Sequence, residues 1–395
     1  MKKRFIKVWQ ILFIALFIVV ALTIVFYADI SAFFVSAGGT QSESAELAED
    51  NGGAAAQDDS AEDDADAGYL EAMFYEALDD MNVQCHMCFR NCVIAKGERG
   101  FCEARENIGG KLYTLTYGRP VAVHIDPVEK IPFSHFYPGT DALAIGTAAC
   151  NLRCLNCINW QFAWKAPEEV EQLYMTPEEV VDTAKENDLE TICFTYNEPT
   201  NCYEYMLAVF KLAKKEGMRT VFHTNGGMNA APFDELSPYV YEENCSGELQ
   251  PVLDFLVHVK ESGIWLEVVN LVIPGKNDDA DTIREMCQWY VENLGPDVPI
   301  QFSRFFPTNQ LSNLPPTPIA TLETACGIAE EAGIHYVYIG NVSGNDRVNT
   351  YCPECGELLI ERVGLSIRTF NIVDGKCANC GCDIPGMWDS GEGEN

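Results

Sequence analysis

Three cysteines within eight residues most constrain what this chain can fold into: Cys150-Asn-Leu-Arg-Cys154-Leu-Asn-Cys157, a C-x3-C-x2-C spacing with no fourth cysteine nearby. A cubane iron–sulfur cluster has four irons and normally takes four thiolates, so a loop offering three leaves one iron open. An open coordination position is what a catalytic metal site requires. Just upstream, Ala142-Leu-Ala-Ile-Gly-Thr147 is an apolar run that reads as a buried strand, which puts the thiols at its C-terminal end. In an α/β barrel the active sites collect at that end. A structural zinc loop is the plainer alternative, but such loops usually bring two pairs of ligands.

The 395 residues are enough for one large core or two domains. A formal charge of −33 argues against nucleic acid as a partner, because phosphate binding needs a basic surface. The 17 cysteines fall largely into groups with metal-ligand spacing rather than the pattern of a small disulfide-bonded protein. Outside those groups Cys193, Cys202, Cys245, Cys287, Cys326 and Cys382 read as free thiols. Lys2, Lys3, Arg4 and Lys7 precede an uncharged run, Val8 to Tyr27, long enough at ~1.5 Å per residue for a ~30 Å hydrocarbon core. Residues 1–37 therefore read as a single-pass membrane anchor, with cleavage after Phe34-Val-Ser-Ala37 as the alternative. Residues 38–68 read as an acidic disordered linker, with no Lys or Arg from Gln41 to Gly68.

An amphipathic pattern around Tyr69–Leu78 predicts a short helix at the start of the globular part. Beyond Cys150 strands alternate with helices. The expected strands are Thr191–Thr195, Arg219–Thr224, Trp265–Ile273, Pro299–Arg304 and Tyr336–Ile339. The expected helices are Pro177–Asn187, Tyr203–Glu216, Leu249–Ser262, Asp279–Asn293 and Leu322–Ala332. Thr176-Pro-Glu-Glu179 has the form of a capping box with Pro in the first turn. The alternation implies a parallel sheet wrapped by helices, an α/β fold of the partial (β/α) TIM-like barrel type. Between Tyr239 and Leu249 no apolar strand is evident, so that strand reads as deleted or reduced to a vestige at Val240 and Tyr241.

The triplet resembles the cluster loop of radical SAM enzymes. From about Ala72 to Trp388 the chain is similar to the radical SAM component of the AmmeMemoRadiSam system, a branch near the pyruvate formate-lyase (glycyl-radical enzyme) activating enzymes. The segments that carry the resemblance include Cys85-His-Met-Cys88, Lys96-Gly-Glu-Arg-Gly-Phe-Cys102, Asp126-Pro-Val-Glu-Lys130, His135-Phe-Tyr-Pro-Gly139, Thr195-Tyr-Asn-Glu-Pro199, Thr224-Asn-Gly226, Ile273-Pro-Gly275, Ser303-Arg-Phe305, Tyr338-Ile-Gly-Asn341 and Ile384-Pro-Gly-Met-Trp388. The resemblance implies that Cys150, Cys154 and Cys157 hold a [4Fe–4S] cluster and that S-adenosyl-L-methionine binds its open iron. It further implies that Glu198, with Thr224, Asn225 and Gly226, meets the methionine amino group of SAM. Asn270, Pro274, Ser303 and Arg304 would line its ribose, carboxylate and adenine. The residue before the third cysteine, usually aromatic in the family and packed on the adenine, is here Asn156, with Trp160 as a potential substitute. The strand missing near residues 240–248 would in relatives end in an Asp-x-Lys motif.

Two further thiol sets flank the barrel. Cys85, Cys88, Cys92 and Cys102 form a four-thiol set suited to structural zinc or to an auxiliary cluster, with zinc slightly favoured. Cys352-Pro-Glu-Cys355 and Cys377-Ala-Asn-Cys380 have the spacing of a zinc ribbon, with Cys382 as a spare thiol. The expected domains are thus a Cys-rich segment at 69–141, a radical SAM barrel at 142–347 and a zinc-ribbon-like module at 348–395. The expected function is reductive SAM cleavage and hydrogen abstraction from a protein or peptide, with a catalytically decayed Fe–S/zinc interaction module as the alternative. The resemblance also implies AMMECR1-like and Memo-like partners and an electron donor. The membrane side of the catalytic domain is left open: the flanking charges place it outside, while the chemistry and free thiols favour the cytoplasm.

Overall fold

The computed structural model describes residues 69–239, 242–244 and 249–388. All of them belong to one compact unit, Asp63–Asn395. Its centre is a six-stranded sheet ordered Trp265–Leu266, Glu242–Asn244, Arg219–His223, Thr191–Phe194, Asp141–Thr147 and Pro120–Pro127. Five of these strands are parallel, and Pro120–Pro127 joins the edge antiparallel. A second parallel sheet continues the chain order with Val268–Val272, Ile300–Arg304 and Val337–Gly340. Helices Pro177–Glu186, Tyr203–Lys215, Ala230–Leu236, Leu249–Glu261, Ala280–Asn293 and Ile319–Ala332 fill the intervals. This is the expected α/β alternation, and the strands Asp141–Thr147 and Thr191–Phe194 are buried almost throughout, as parallel strands covered on both faces must be. The capping box forms as its sequence predicts: Glu179 N–H donates to Thr176 Oγ1 at 3.2 Å, and Thr176 N–H to Glu179 Oε2 at 2.7 Å.

The structure corrects several expectations. The membrane-spanning helix, and with it a membrane partner and a membrane location, is not supported: among the described residues no helix is long and apolar enough to cross a bilayer. The longest, Ala280–Asn293 and Ile319–Ala332, have 14 residues, which at ~1.5 Å per residue falls well short of ~30 Å. The run Val8–Tyr27 lies outside the described residues. The helix expected over Tyr69–Leu78 is replaced by two short strands, Leu70–Glu71 paired with Tyr113–Thr114 and Tyr75–Ala77 paired with Val83–Cys85. Phe74 between them has φ 53°, a left-handed conformation that ends any helix there. The strand read as deleted is present at Glu242–Asn244, three residues long, pairing with Val221–His223 on one side and Trp265–Leu266 on the other.

The single strand expected at Trp265–Ile273 is two, broken at Glu267. This carboxylate is 3% exposed and turns to accept from the Ser134 and His135 N–H groups at 2.8 and 2.7 Å. His135 is fully buried in turn, within 4.6–6.1 Å centroid distance of Tyr336, Trp388, Tyr338 and Trp265. Its Nδ1 lies 2.6 Å from the Pro385 carbonyl, which can only accept, so Nδ1 carries the proton. Nε2 then accepts from the Tyr338 hydroxyl at 2.6 Å. A neutral imidazole thus ties the closing Pro385-Gly-Met-Trp388 stretch to the barrel strand Val337–Gly340.

At the C-terminus the strands Leu358–Val363 and Ser366–Phe370 form a hairpin that brings the two C-x-x-C turns together. The thiols of Cys352, Cys355, Cys377 and Cys380 all lie within 4.8 Å of one another, a separation that suits one tetrahedral ion. Cys382, expected as a spare, places its Sγ 3.2 Å from that of Cys352.

Two measurements test these features. If these four thiols hold zinc, substituting Cys380→Ser should lower bound zinc by about one ion per chain and expose the C-terminal hairpin to protease, because binding of a structural metal is coupled to folding; unchanged zinc content would refute the site. Burial holds the His135 pKa down to about 3, so below its ordinary value near 6.5 the unfolded chain takes up a proton that the folded chain refuses. Stability from this group is therefore complete above about pH 6.5 and lost as pH falls toward 3. Between pH 6 and 4, wild type should lose stability to urea faster than His135→Phe, with a slope difference approaching ~1.4 kcal/mol per pH unit; equal slopes would contradict the neutral assignment.

Candidate active site

The triplet loop follows Asp141–Thr147, so its thiols stand at the C-terminal edge of the sheet. The strand's exit is held by one side chain, Asn197. Its amide donates to Thr147 Oγ1, Ala148 O and Ala149 O at 3.2, 3.3 and 2.8 Å, and its carbonyl accepts from Thr147 N–H at 3.4 Å. Ala149 sits at φ 74°, a conformation unfavourable to a residue with a Cβ, and turns the chain into Cys150. Arg153 closes the loop by donating to the Cys150 and Leu152 carbonyls at 2.6 and 2.9 Å. Cys157 N–H donates to Cys154 O at 2.9 Å. Burial pushes all three thiols above their ordinary pKa, and the nearby Glu198 carboxylate adds to the rise at Cys150 and Cys154. Free thiols in these positions stay protonated, and a bound metal is what would convert them to thiolates.

Glu198, Thr224, Asn225 and Gly226 meet as expected. Glu198 ends the turn after Thr191–Phe194 and is 1% exposed. Its carboxylate accepts from Thr200 N–H at 3.0 Å, from the Thr200 hydroxyl, from Thr224 Oγ1 at 2.8 Å and from Asn225 N–H at 2.7 Å. Burial raises its pKa against these four donors. It also caps the short 3-10 turn Pro199–Cys202 through Thr200. Asn225 passes the connection on: its Nδ2 donates to Asn151 Oδ1 at 2.7 Å, beside Cys150. Asn151 and Asn197 went unrecognised as site residues in the sequence. Asn151 sits between two cysteines, but its partner is 74 positions away, and only the tertiary fold reveals the contact.

The remaining expected residues are more dispersed in their contacts. Asn270 directs its Nδ2 to Met286 Sδ at 3.3 Å, toward the helix Ala280–Asn293. Ser303 is buried and accepts from Gln301 Nε2 at 3.0 Å. Arg304 donates from Nε to Thr317 O at 2.8 Å and lies 5.0 Å from the Phe306 ring. Pro274 lies in the turn that follows Val268–Val272, where Gly275 N–H donates to Asp278 Oδ1 at 2.8 Å. Asn156 is half-buried in the triplet loop, and Trp160 begins the short helix Trp160–Ala163 with 38% of its surface exposed.

The N-terminal Cys-rich segment docks directly on this edge. Cys88 forms an antiparallel bridge with Met228, Phe89 N–H donates to Gly227 O at 3.0 Å, and Asn229 Nδ2 donates to His86 O at 2.7 Å. Gly227 is required for this contact, since a Cβ there would meet the Phe89 ring at 2.8 Å. Arg153 Nη2 reaches back to Phe101 O at 3.1 Å. The triplet, the Thr224–Gly226 loop and the four-thiol segment are therefore one contiguous structure.

Residues 145–288 match the model of the radical SAM superfamily. The uncharacterized protein MJ0808 of Methanocaldococcus jannaschii is 44% identical over 324 residues, 79% of this chain and 97% of that protein. Among solved structures, a domain of a pyruvate-formate lyase-activating enzyme from Bacteroides vulgatus shares 14% identity, covering 38% of this chain and 98% of that one with a TM-score of 0.34. A radical SAM methyltransferase from Sphaerobacter thermophilus shares 14%, covering 52% and 67% with a TM-score of 0.39. TM-scores this low carry no functional argument. The long match to the archaeal protein and the superfamily match over the triplet, Glu198 and the Thr224–Gly226 loop agree with the geometry: the chain belongs to the radical SAM superfamily and is a radical SAM enzyme.

Proposed function

We infer that the protein binds a [4Fe–4S] cluster through Cys150, Cys154 and Cys157 and uses it to cleave S-adenosyl-L-methionine reductively, taking hydrogen from a protein or peptide substrate. The observation that carries this reading is the three-thiol loop at the C-terminal edge of a parallel sheet, joined to Glu198 and the Thr224–Gly226 loop through Asn225 and Asn151. The donor set fits the group, since three thiols and no fourth in the loop leave one iron for a ligand. Cluster and SAM together would supply a 5′-deoxyadenosyl radical. The chain's own contribution is positional. Asn197 and Arg153 hold the thiols at the sheet edge, and Glu198 keeps a buried acceptor near enough to Cys150 to act on its thiol. Such an acceptor suits a ligand ammonium through a charge-assisted hydrogen bond, for which Thr224 and Asn225 would share their present bonds to it.

Substrate class rests on the resemblance to the AmmeMemoRadiSam component and the glycyl-radical activating enzymes, carried by motifs such as Tyr196-Asn-Glu-Pro199 and Thr224-Asn-Gly226. The domain boundaries proposed with it are 69–141, 142–347 and 348–395, the last built around zinc at Cys352, Cys355, Cys377 and Cys380. A second reading, a catalytically decayed Fe–S and zinc interaction module, draws support from Asn270, whose amide is engaged by Met286, and from Arg304, whose Nε is engaged by Thr317.

The two readings separate in one experiment. The full chain, reconstituted anaerobically with iron and sulfide and reduced with dithionite, should form 5′-deoxyadenosine from SAM, and Cys154→Ala should abolish this while leaving the zinc content unchanged. Absence of deoxyadenosine from the iron-loaded wild type would sustain the decayed module. Undiminished formation by the variant would overturn the cluster assignment.

A further inference from the structure

The chain carries two four-thiol sets, and they are built to different sizes. The C-terminal thiols gather within 4.8 Å of one another, close to the ~3.8 Å that a tetrahedron with Zn–S bonds of about 2.3 Å imposes. Cys85, Cys88, Cys92 and Cys102 are all described but do not make a gathering of this kind. These four instead line the wall of one cavity, together with Arg105 and Asn151.

Three donor atoms in that wall lack partners of their own. Arg105 is 2% exposed, and its Nη2 pairs with Glu204 at 2.9 Å, but its Nε and Nη1 have no hydrogen-bond partner. The guanidinium charge acts on Cys85 and Cys102. Asn151 is fully buried; its Oδ1 is taken by Asn225, while its Nδ2 faces Cys88 without meeting the geometry of a hydrogen bond and has no other partner. Leaving such donors unpaired in a buried site is costly, so their persistence around a cavity points to an anionic occupant. Four thiolates around a single ion would draw the sulfurs together. A cubane between them keeps the sulfurs apart and presents further sulfide acceptors to Nε, Nη1 and Nδ2.

We propose that Cys85, Cys88, Cys92 and Cys102 hold a second, fully thiolate-ligated [4Fe–4S] cluster, with Arg105 and Asn151 as its hydrogen-bond donors. This reverses the slight preference for zinc in the sequence reading, where spacing alone does not choose between the two. Cys88 is clamped to Met228 and its neighbour Phe89 to Gly227, so the cluster would also brace the loop that carries Thr224–Gly226. The site stands independently of the triplet reading, because all four of its ligands lie upstream of Cys150.

The test uses the full chain with Cys150, Cys154 and Cys157 all replaced by Ala, reconstituted anaerobically with iron and sulfide, with zinc, iron and sulfide counted per chain. This variant should retain ~4 iron and ~4 sulfide, show an EPR signal on dithionite reduction, and keep about one zinc. Adding Cys88→Ala and Cys92→Ala should remove the remaining iron and leave that zinc in place, which reports an intact C-terminal module. In an otherwise wild-type chain, Asn151→Leu should retain iron and shift the EPR signal of the N-terminal cluster. A triplet variant that binds no iron overturns the proposal, whether or not a second zinc takes its place. Failure of the SAM-cleavage reading looks different: iron at both sites with no deoxyadenosine formed.

Discussion

The buried carboxylate of Glu198 is the constraint on which the arrangement of the site depends. A carboxylate removed from water is costly unless its lone pairs are met. Here they are met by groups on two different strand exits, Thr200 after Thr191–Phe194 and Thr224 with Asn225 after Arg219–His223. The need to satisfy one charge thus fixes two loops relative to each other. Once Asn225 is placed, its side chain places Asn151, and Asn151 is covalently next to Cys150. Replacing the Thr200 or Thr224 hydroxyl with an apolar side chain would leave the charge short of a partner rather than relax the loop.

A comparable device closes the other end of the chain. Glu267 interrupts the sheet, accepts from the Ser134 and His135 backbone, and so sacrifices one residue of strand pairing to hold the segment that carries the buried imidazole. Arg362 reaches the same segment from the C-terminal hairpin, donating to Ser134 O and, at 3.0 Å, to Thr350 Oγ1. The hydroxyls of Thr350 and Tyr338 then relay a directional chain to His135 and on to Pro385. From Thr350 to Pro385 each link has its donor and acceptor, while Arg362 Nε has no partner; a chain of buried polar links so matched specifies one packing.

What could be read from the sequence followed how local the determinant is. The triplet after an apolar strand, the capping box at Thr176 and the alternation of strands and helices all depend on residues close in sequence, and they stand in the structure. The helix expected at Tyr69–Leu78 failed because its apolar spacing serves two edge pairings instead, with Met73 N–H donating to Glu204 131 positions away. The strand Glu242–Asn244 gave no apolar signal in the sequence, and only its backbone pairings to Val221–His223 and Trp265–Leu266 reveal it. Glu267 within an apolar run carried a hint of the break, but the peptide N–H groups that justify it lie 132 and 133 positions upstream.

The thiol sets obey the same distinction, and it sets how each is formed. The triplet's ligands span a single loop, so proximity is given by sequence and only orientation is left to Asn197 and Arg153. The C-terminal ligands lie on two turns separated by the strands Leu358–Val363 and Ser366–Phe370, so those thiols converge only when that hairpin pairs. A metal held there would be coupled to folding of the hairpin. The N-terminal set is intermediate, its cavity closed by Arg105 from the strand Arg105–Ile108, and that arginine is held by Glu204 on the helix Tyr203–Lys215. Removing one partner of such a buried pair typically costs ~3–5 kcal/mol. The four-thiol cavity therefore depends on the barrel helix as much as on its own cysteines, and the segment that bears it cannot keep its geometry apart from the barrel.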